Sequence, residues 1–376
     1  MLIDFFEKKP SKHILQMEIQ ISDLINCDVS RFASGDSASF ILECTPPKVE
    51  EQWVLKCYSI IFNYEPSHGV VYEGRMYDKI IPKLIAHSPC FLPPRGSVTC
   101  SSEIIDTITT TNPAFKSEYK WYIKCSTDNT VERVLECGDD LEPFMRLYDI
   151  PTDKSVSERQ NMFFNAVEQD RKKLLEFPEL FVIAMLKIEK ATSLLDFLTS
   201  RCSTLTDEDC DSIMFQIFYA LLKMQELGVM HNDLHFKNIM VEELPETTID
   251  TYDVDGKNYK VPVKYRVYIF DWDMAYCDEL GVNLSLNNYL SPELGICNKF
   301  TPKVDLYTVL RIIEMFDCPT TLKNMVREIP GLDNLHKFET YCCRINANKD
   351  LSLFIEIVPE ITEMIMRLKS TVKWTA

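Results

Sequence analysis

An aspartate and an asparagine stand five residues apart in Val229-Met230-His231-Asn232-Asp233-Leu234-His235-Phe236-Lys237-Asn238-Ile239-Met240, between apolar flanks. Further along, Tyr268-Ile269-Phe270-Asp271-Trp272-Asp273 sets another acid directly after a strand-like apolar run. Phosphoryl transfer from ATP uses such groups together: a carboxylate to orient the attacking hydroxyl, and an amide and a second carboxylate to hold magnesium. The plain alternative is that these residues cap turns, which Asp and Asn favour anyway.

The order H-x-D-x-x-x-x-N followed by a strand-borne D-x-x resembles the catalytic and metal-binding loops of the protein-kinase superfamily. The resemblance implies that Asp233 accepts or orients the substrate hydroxyl and that Asn238 and Asp271 are ligands of Mg2+, or of Mn2+ in its place. Asp271-Trp272-Asp273-Met274-Ala275 fits D-F-G-x-A with Trp272 for Phe, and Asp273 competes for the metal role. The other parts occur upstream in the same order. Arg31 to Leu42 overlays on G-x-G-x-x-G-x-V as A-x-G-x-x-A-x-F, which would bring Gly35, Ser37 and Ala38 to the ATP phosphates. Ala33 and Ala38 give up the easy positive φ of glycine. Lys56, in Trp53-Val54-Leu55-Lys56-Cys57-Tyr58, matches the phosphate-contacting lysine, and Glu73, 17 residues later, matches the glutamate that pairs with it. Leu186 would gate the back of an adenine pocket, with the backbone of Lys187, Ile188 and Glu189 bonding the base.

Several elements must position these groups. Leu180 to Leu186 reads as a buried strand, and Ser193 to Leu198 opens a short helix. Thr206 and Asp209 form a capping box for a helix whose apolar face carries Ile213, Met214, Ile217, Phe218, Leu221, Leu222 and Met224, and Gly228 stops it just before the loop. Around Glu73, Met76, Tyr77 and Ile80 recur at helical spacing. Asp305, at the start of a helix through Leu310, Ile312 and Ile313, matches the buried aspartate that anchors the catalytic-loop backbone, and backbone N–H groups are expected to satisfy it. Asn288-Tyr289-Leu290-Ser291-Pro292-Glu293 resembles the end of a short activation segment beginning at Asp271.

The chain also departs from the kinase pattern. Asn232 stands where regulated kinases carry an Arg, which argues against control by a phosphorylated activation loop. His235 replaces a Lys near the γ-phosphate, as in haspin-like, choline-kinase-like and aminoglycoside-phosphotransferase-like relatives, and a neutral imidazole stabilises developing charge less. Lys237 either supplies that cation or is a solvated surface lysine. Two insertions are expected. One, at about 82–157, carries a Ser/Thr-rich stretch from Ser97 to Thr111 and a strand-like Lys120-Trp121-Tyr122-Ile123-Lys124. The other, at about 242–264, is a β-hairpin turning at Asp255-Gly256. With this hairpin, the stretch from Met230 to Asp305 closely resembles the serine/threonine kinase-like proteins of large nucleocytoplasmic DNA viruses. The implied fold is α+β and bilobal, with a small β-rich N-lobe (1–186) and a mostly helical C-lobe (187–376).

Composition bounds the rest. The chain has 376 residues, 46% of them hydrophobic, and a net charge of −17, which argues against nucleic acid and favours basic protein substrates. No apolar run reaches the ~18 residues of a membrane span, and the acidic opening Met1 to Glu7 is unlike a signal peptide. A monomer in the cytoplasm, or in host cytoplasm or virion if viral, is expected. The 14 cysteines lack C-x-x-C spacing and read as free thiols, and no function attaches to Cys342-Cys343. Past Phe316 the chain reads as helices that close the large lobe. Three functions stay open: an ATP- and Mg-dependent Ser/Thr protein kinase, foremost; a small-molecule phosphotransferase of the same fold; and a catalytically weak pseudokinase or scaffold.

Overall fold

The structure, a computed structural model, describes residues 19–33, 39–47, 49–59, 69–120, 122, 145, 150–176, 179–201, 203–283, 300, 303–315, 320–329 and 358–371. It is an α+β protein that divides into two compact units. The first comprises Met1–Asn63, Pro93–Glu136 and Val167–Lys187, and the second Tyr64–Leu92, Cys137–Ala166 and Ile188–Ala376.

The first unit is built on a five-stranded antiparallel sheet of β1 (Asp28–Ala33), β2 (Ser39–Thr45), β3 (Trp53–Ser59), β4 (Pro94–Cys100) and β5 (Leu180–Leu186), in the order β1-β2-β3-β5-β4. As expected, β5 is continuously apolar, because it lies inside the sheet between β3 and β4. Period-two alternation sends Phe40, Leu42, Cys44, Trp53, Leu55 and Cys57 into one core, against the short helix Ile21–Asn26 and the helix Ser102–Thr111. Lys56 falls on the opposite face.

Within 82–157, Pro94–Cys100 is a sheet strand and Ser102–Thr111 is a helix. Its threonines bond to carbonyls one turn back, Thr107 to Glu103 and Thr110 to Asp106, so their hydroxyls accommodate the helix. Residues 113–120 and Tyr122 are helical, where a strand was expected over 120–124. The aromatic spacing explains the difference, since Phe115, Tyr119 and Tyr122 recur at i, i+4 and i+7 and all pack on Phe40, with ring centroids 5.8, 6.3 and 5.0 Å away.

In the second unit, the helix Asp207–Glu226 starts at the expected capping box, in which the Thr206 hydroxyl accepts the Asp209 N–H and the Asp209 carboxylate accepts the Thr206 N–H. It ends at Gly228, whose φ of +64° suits glycine. A Cβ there would collide with the Asp278 side chain. This helix packs on β9 and on the helix Ile361–Thr371. The sheet beside it contains β6 (Thr192–Ser193), β8 (Ile239–Val254) and β9 (Lys257–Ile269), and a second pair joins β7 (Val229–Met230) to β10 (Tyr276–Cys277). β8 and β9 form the expected hairpin, turning at Asp255 and Gly256 with φ of 52° and 73°. Two positive φ values in a two-residue loop match the right-handed strand twist.

The helix holds this hairpin through side chains that stand in for a further strand. Buried Gln216 donates to the Tyr265 carbonyl (2.8 Å) and accepts the Val267 N–H (3.3 Å), while the Ser212 hydroxyl donates to the Pro262 carbonyl (2.7 Å). No helix among the described residues is long and apolar enough to cross a membrane. Seven described cysteines, Cys27, Cys44, Cys57, Cys90, Cys100, Cys210 and Cys277, are free and buried as expected. Gln216→Leu would strand a buried N–H and a buried carbonyl on β9. It should lower unfolding stability by at least about 2 kcal/mol, read as a drop in the urea midpoint.

Candidate active site

Asn238 and Asp271 are 33 residues apart in the chain, yet the hairpin makes them neighbours. Ile239 pairs with Ile269 at its base, and the Phe270 N–H donates to the Asn238 carbonyl at 3.2 Å. The length of the hairpin is therefore irrelevant to the site, because only the register at its open end sets this separation.

The loop carrying Asp233 is anchored from below by Asp305, as expected. One Asp305 oxygen accepts the His231 N–H (2.7 Å) and the other the Asn232 N–H (2.9 Å). Burial pushes the Asp305 carboxyl up, while the His231 ring and these two donors pull it down. Directly after these two donors the chain reverses, with Asn232 at a φ of +63°. His231 itself is fully buried, with its ring 4.7 Å from that of Trp272 and its Nε2 2.8 Å from the Phe270 carbonyl.

Within the loop, the Asn238 side-chain amide donates to the Asp233 carbonyl (2.9 Å) and to Asp233 Oδ2 (3.1 Å). That orientation spends the Asn238 nitrogen on Asp233 and leaves its Oδ1 as a possible donor to a cation. Asn238 is buried, whereas the Asp233 side chain is 45% exposed and reachable from solvent. His235 caps the short 3-10 turn Phe236–Asn238 by accepting the Lys237 N–H at Nδ1, and its Nε2 lies 3.5 Å from Asp233 Oδ2. The Asp233 hydrogen bond lifts His235 above the ordinary imidazole value, burial opposes this, and the Asp233 and Asp271 charges add to it. The cationic form of this imidazole is therefore favoured relative to that of a free histidine. Lys237 is exposed.

Asp271 leaves β9 through a left-handed residue with a φ of +70°. Such a conformation costs a non-glycine residue roughly 1–3 kcal/mol and persists where surroundings over-determine it. The surroundings here are the helix Gly69–Arg75 and the π-turn Met76–Ile80 that continues it. Fully buried Glu73 accepts the Trp272 N–H (3.3 Å), and the Tyr77 hydroxyl accepts the Asp271 N–H (3.3 Å). The Asp273 carbonyl accepts a bond from Asn283 (2.8 Å). Sequence reasoning singled out Glu73 as a partner for Lys56 rather than for the Trp272 N–H, and missed the roles of Tyr77 and Asn283. Their signal is ordinary, an aromatic at core spacing and an isolated Asn.

In the first unit, Lys56 is buried on β3 between Ile41 and Ile183 of the neighbouring strands, with Nζ 5.2 Å above the Tyr58 ring. Leu186 donates its N–H to the Pro93 carbonyl (2.9 Å). The Lys187 N–H is bonded to the Gln52 carbonyl (2.9 Å), and its Nζ to Glu43 (2.7 Å) and the Gln52 side chain (2.8 Å). Ile188 and Glu189 enter a turn completed by Lys190, φ 63°. Gly35, Ser37, Ala38, Asn288–Glu293 and Cys342-Cys343 lie outside the described residues.

No cluster of three or more His, Cys, Asp or Glu among the described residues is arranged to hold a metal by itself. The amide oxygen of Asn238 and the carboxylates of Asp271 and Asp273 are hard donors that suit Mg2+ or Mn2+. Such ions are commonly held by one or two carboxylates plus substrate phosphates rather than by an all-protein cage. Comparison of the chain with protein-family models and with curated proteins found no match.

His235 gives a pH-dependent observable. Its raised pKa means that the pair with Asp233 stabilises the fold below the ordinary histidine pKa, and that this contribution is lost as pH rises through the raised value. Both side chains are over two-fifths exposed, so the contribution is below about 1 kcal/mol. Ring-nitrogen NMR titration, with His235→Gln for assignment, should show His235 titrating above a free histidine and falling back in Asp233→Asn. An unchanged titration in that variant would contradict the pairing.

Proposed function

We propose that this chain is an ATP- and Mg2+-dependent phosphotransferase of protein-kinase-like, bilobal fold, acting on Ser or Thr hydroxyls of protein substrates. The observation that carries the reading is the Asp233–Asn238 pair. A solvent-reachable carboxylate is held by an amide whose oxygen stays available, beside a carboxylate, Asp271, kept in a left-handed backbone.

In this reading Asn238 Nδ2 fixes Asp233 Oδ2, so the other carboxylate oxygen accepts the proton of the attacking hydroxyl. That hydroxyl oxygen forms the bond to the γ-phosphorus as the bond to the β–γ bridging oxygen breaks, and ADP leaves. Asn238 and Asp271, with Asp273 as a further donor, would hold Mg2+, which when bound neutralises charge on the phosphates. Partly cationic His235 and exposed Lys237 face or flank the reacting carboxylate. Lys56 keeps the phosphate-contacting role that the resemblance implies, and Glu73 holds the metal loop through the Trp272 N–H. The net charge of −17 favours basic protein acceptors over nucleic acid.

A small-molecule acceptor is the second reading, favoured by His235 in place of a lysine. Transfer of labelled γ-phosphate from MgATP to basic protein mixtures tests both. Wild type should label Ser or Thr, and Asp233→Ala should reduce the rate about 10²–10⁴-fold. Labelling confined to small hydroxylated acceptors selects the second reading, and absence of any transfer with ATP bound would leave a scaffold.

A further inference from the structure

The chain from Asp271 to Asn283 closes on itself. After Trp272 it runs through Met274, whose carbonyl accepts the Asn232 side-chain amide (3.0 Å), and then pairs as β10 with β7. At Cys277 it turns back, with the Leu280 and Gly281 N–H groups donating to the Cys277 carbonyl (3.1 and 3.0 Å) and Gly281 at a φ of +77°. The turn brings Asn283 under the start of the loop. Fully buried there, its one amide nitrogen donates to the carbonyls of both Asp273 and Ala275, each at 2.8 Å. Tyr72, also fully buried, clasps the other end, since its hydroxyl accepts the Cys277 N–H (2.8 Å) and donates to the Gly281 carbonyl (3.0 Å).

We propose that Tyr72 and Asn283 are positioning residues that latch the loop bearing Asp271 from within, so that the loop is in its metal-binding arrangement before nucleotide arrives and without phosphorylation. The inference rests on the phosphotransfer reading for what the loop does. How the loop is held stands on the hydrogen bonds alone. Tyr77 and Glu73 hold the left-handed Asp271 and Trp272 directly, and Tyr72 and Asn283 fix the segment that follows, from Asp273 to Gly281. Asn232, which replaces the arginine that would read a phosphate, is itself one of the fasteners. The position lost to regulation is used to hold Met274.

The test uses the full chain, dephosphorylated and free of nucleotide. Amide hydrogen exchange is followed over 271–277 in wild type, Tyr72→Phe and Asn283→Ala, and Mn2+ affinity is measured with ATP present by water-proton relaxation. Wild type should be protected over this segment. Each variant should lose about ten-fold in protection there, the worth of one or two hydrogen bonds, and bind Mn2+ about ten-fold more weakly, with the Asp207–Glu226 helix unchanged. Tyr72→Phe keeps the ring and removes only the hydroxyl, so it reports even if Asn283→Ala fails to fold. Exchange of the wild-type segment at unstructured rates would overturn the latch. So would variants with unchanged protection, and lost protection with unchanged Mn2+ affinity would reduce both residues to a structural role, which also overturns the proposal. Protection intact with no Mn2+ bound even by wild type would instead defeat the phosphotransfer reading.

Discussion

The Asp305 carboxylate bonded to the His231 and Asn232 N–H groups is the contact on which the rest of the site depends. A buried anion requires donors, and here both are backbone groups of adjacent residues. With His231 and Asn232 so held, the left-handed Asn232 turns the following chain, and His231 lies inward against Trp272 while the Asp233 side chain reaches solvent. Removing that carboxylate would leave the two backbone N–H groups without their acceptor and the loop without its anchor.

From that anchor the remaining geometry follows by short-range bonds. Asn238 reaches back five residues to Asp233, His235 caps the turn between them, and the hairpin register sets Phe270 against Asn238. The hairpin is held by Gln216 and Ser212 of the helix that delivers the loop. One helix therefore positions both halves of the candidate site, the Asp233 loop through its C-terminal end and the Asp271 segment through β9. The π-turn helix from Gly69 to Ile80 supplies a second grip, with Tyr72, Glu73 and Tyr77 all spent on backbone of the segment after β9.

Much of this was legible in the sequence where the chemistry is local. The capping box at Thr206 and Asp209, the glycine stop at Gly228, the Asp255-Gly256 hairpin and the continuous apolar run of β5 each depend on residues near one another in the chain, and each is found where its pattern put it. The backbone ligation of Asp305 was foreseeable too, because a buried carboxylate in a helix start has few other means of satisfaction. The segment after Pro93 misled for the converse reason. The local window 120–124 suggested a strand, while the decisive pattern was the longer helical recurrence of Phe115, Tyr119 and Tyr122 against Phe40 on a distant strand.

The sequence by itself determined the chemical inventory of the site and the order of its parts, since residue type and spacing are properties of the chain. Only the tertiary structure decided which polar side chains serve the backbone rather than the chemistry. Tyr72, Tyr77 and Asn283 look like unremarkable core or turn residues until the fold brings them against N–H and carbonyl groups up to 209 positions away, as Tyr72 meets Gly281. A hydrogen bond is directional and reaches about 3 Å, so such partners exist only once the chain is closed in three dimensions.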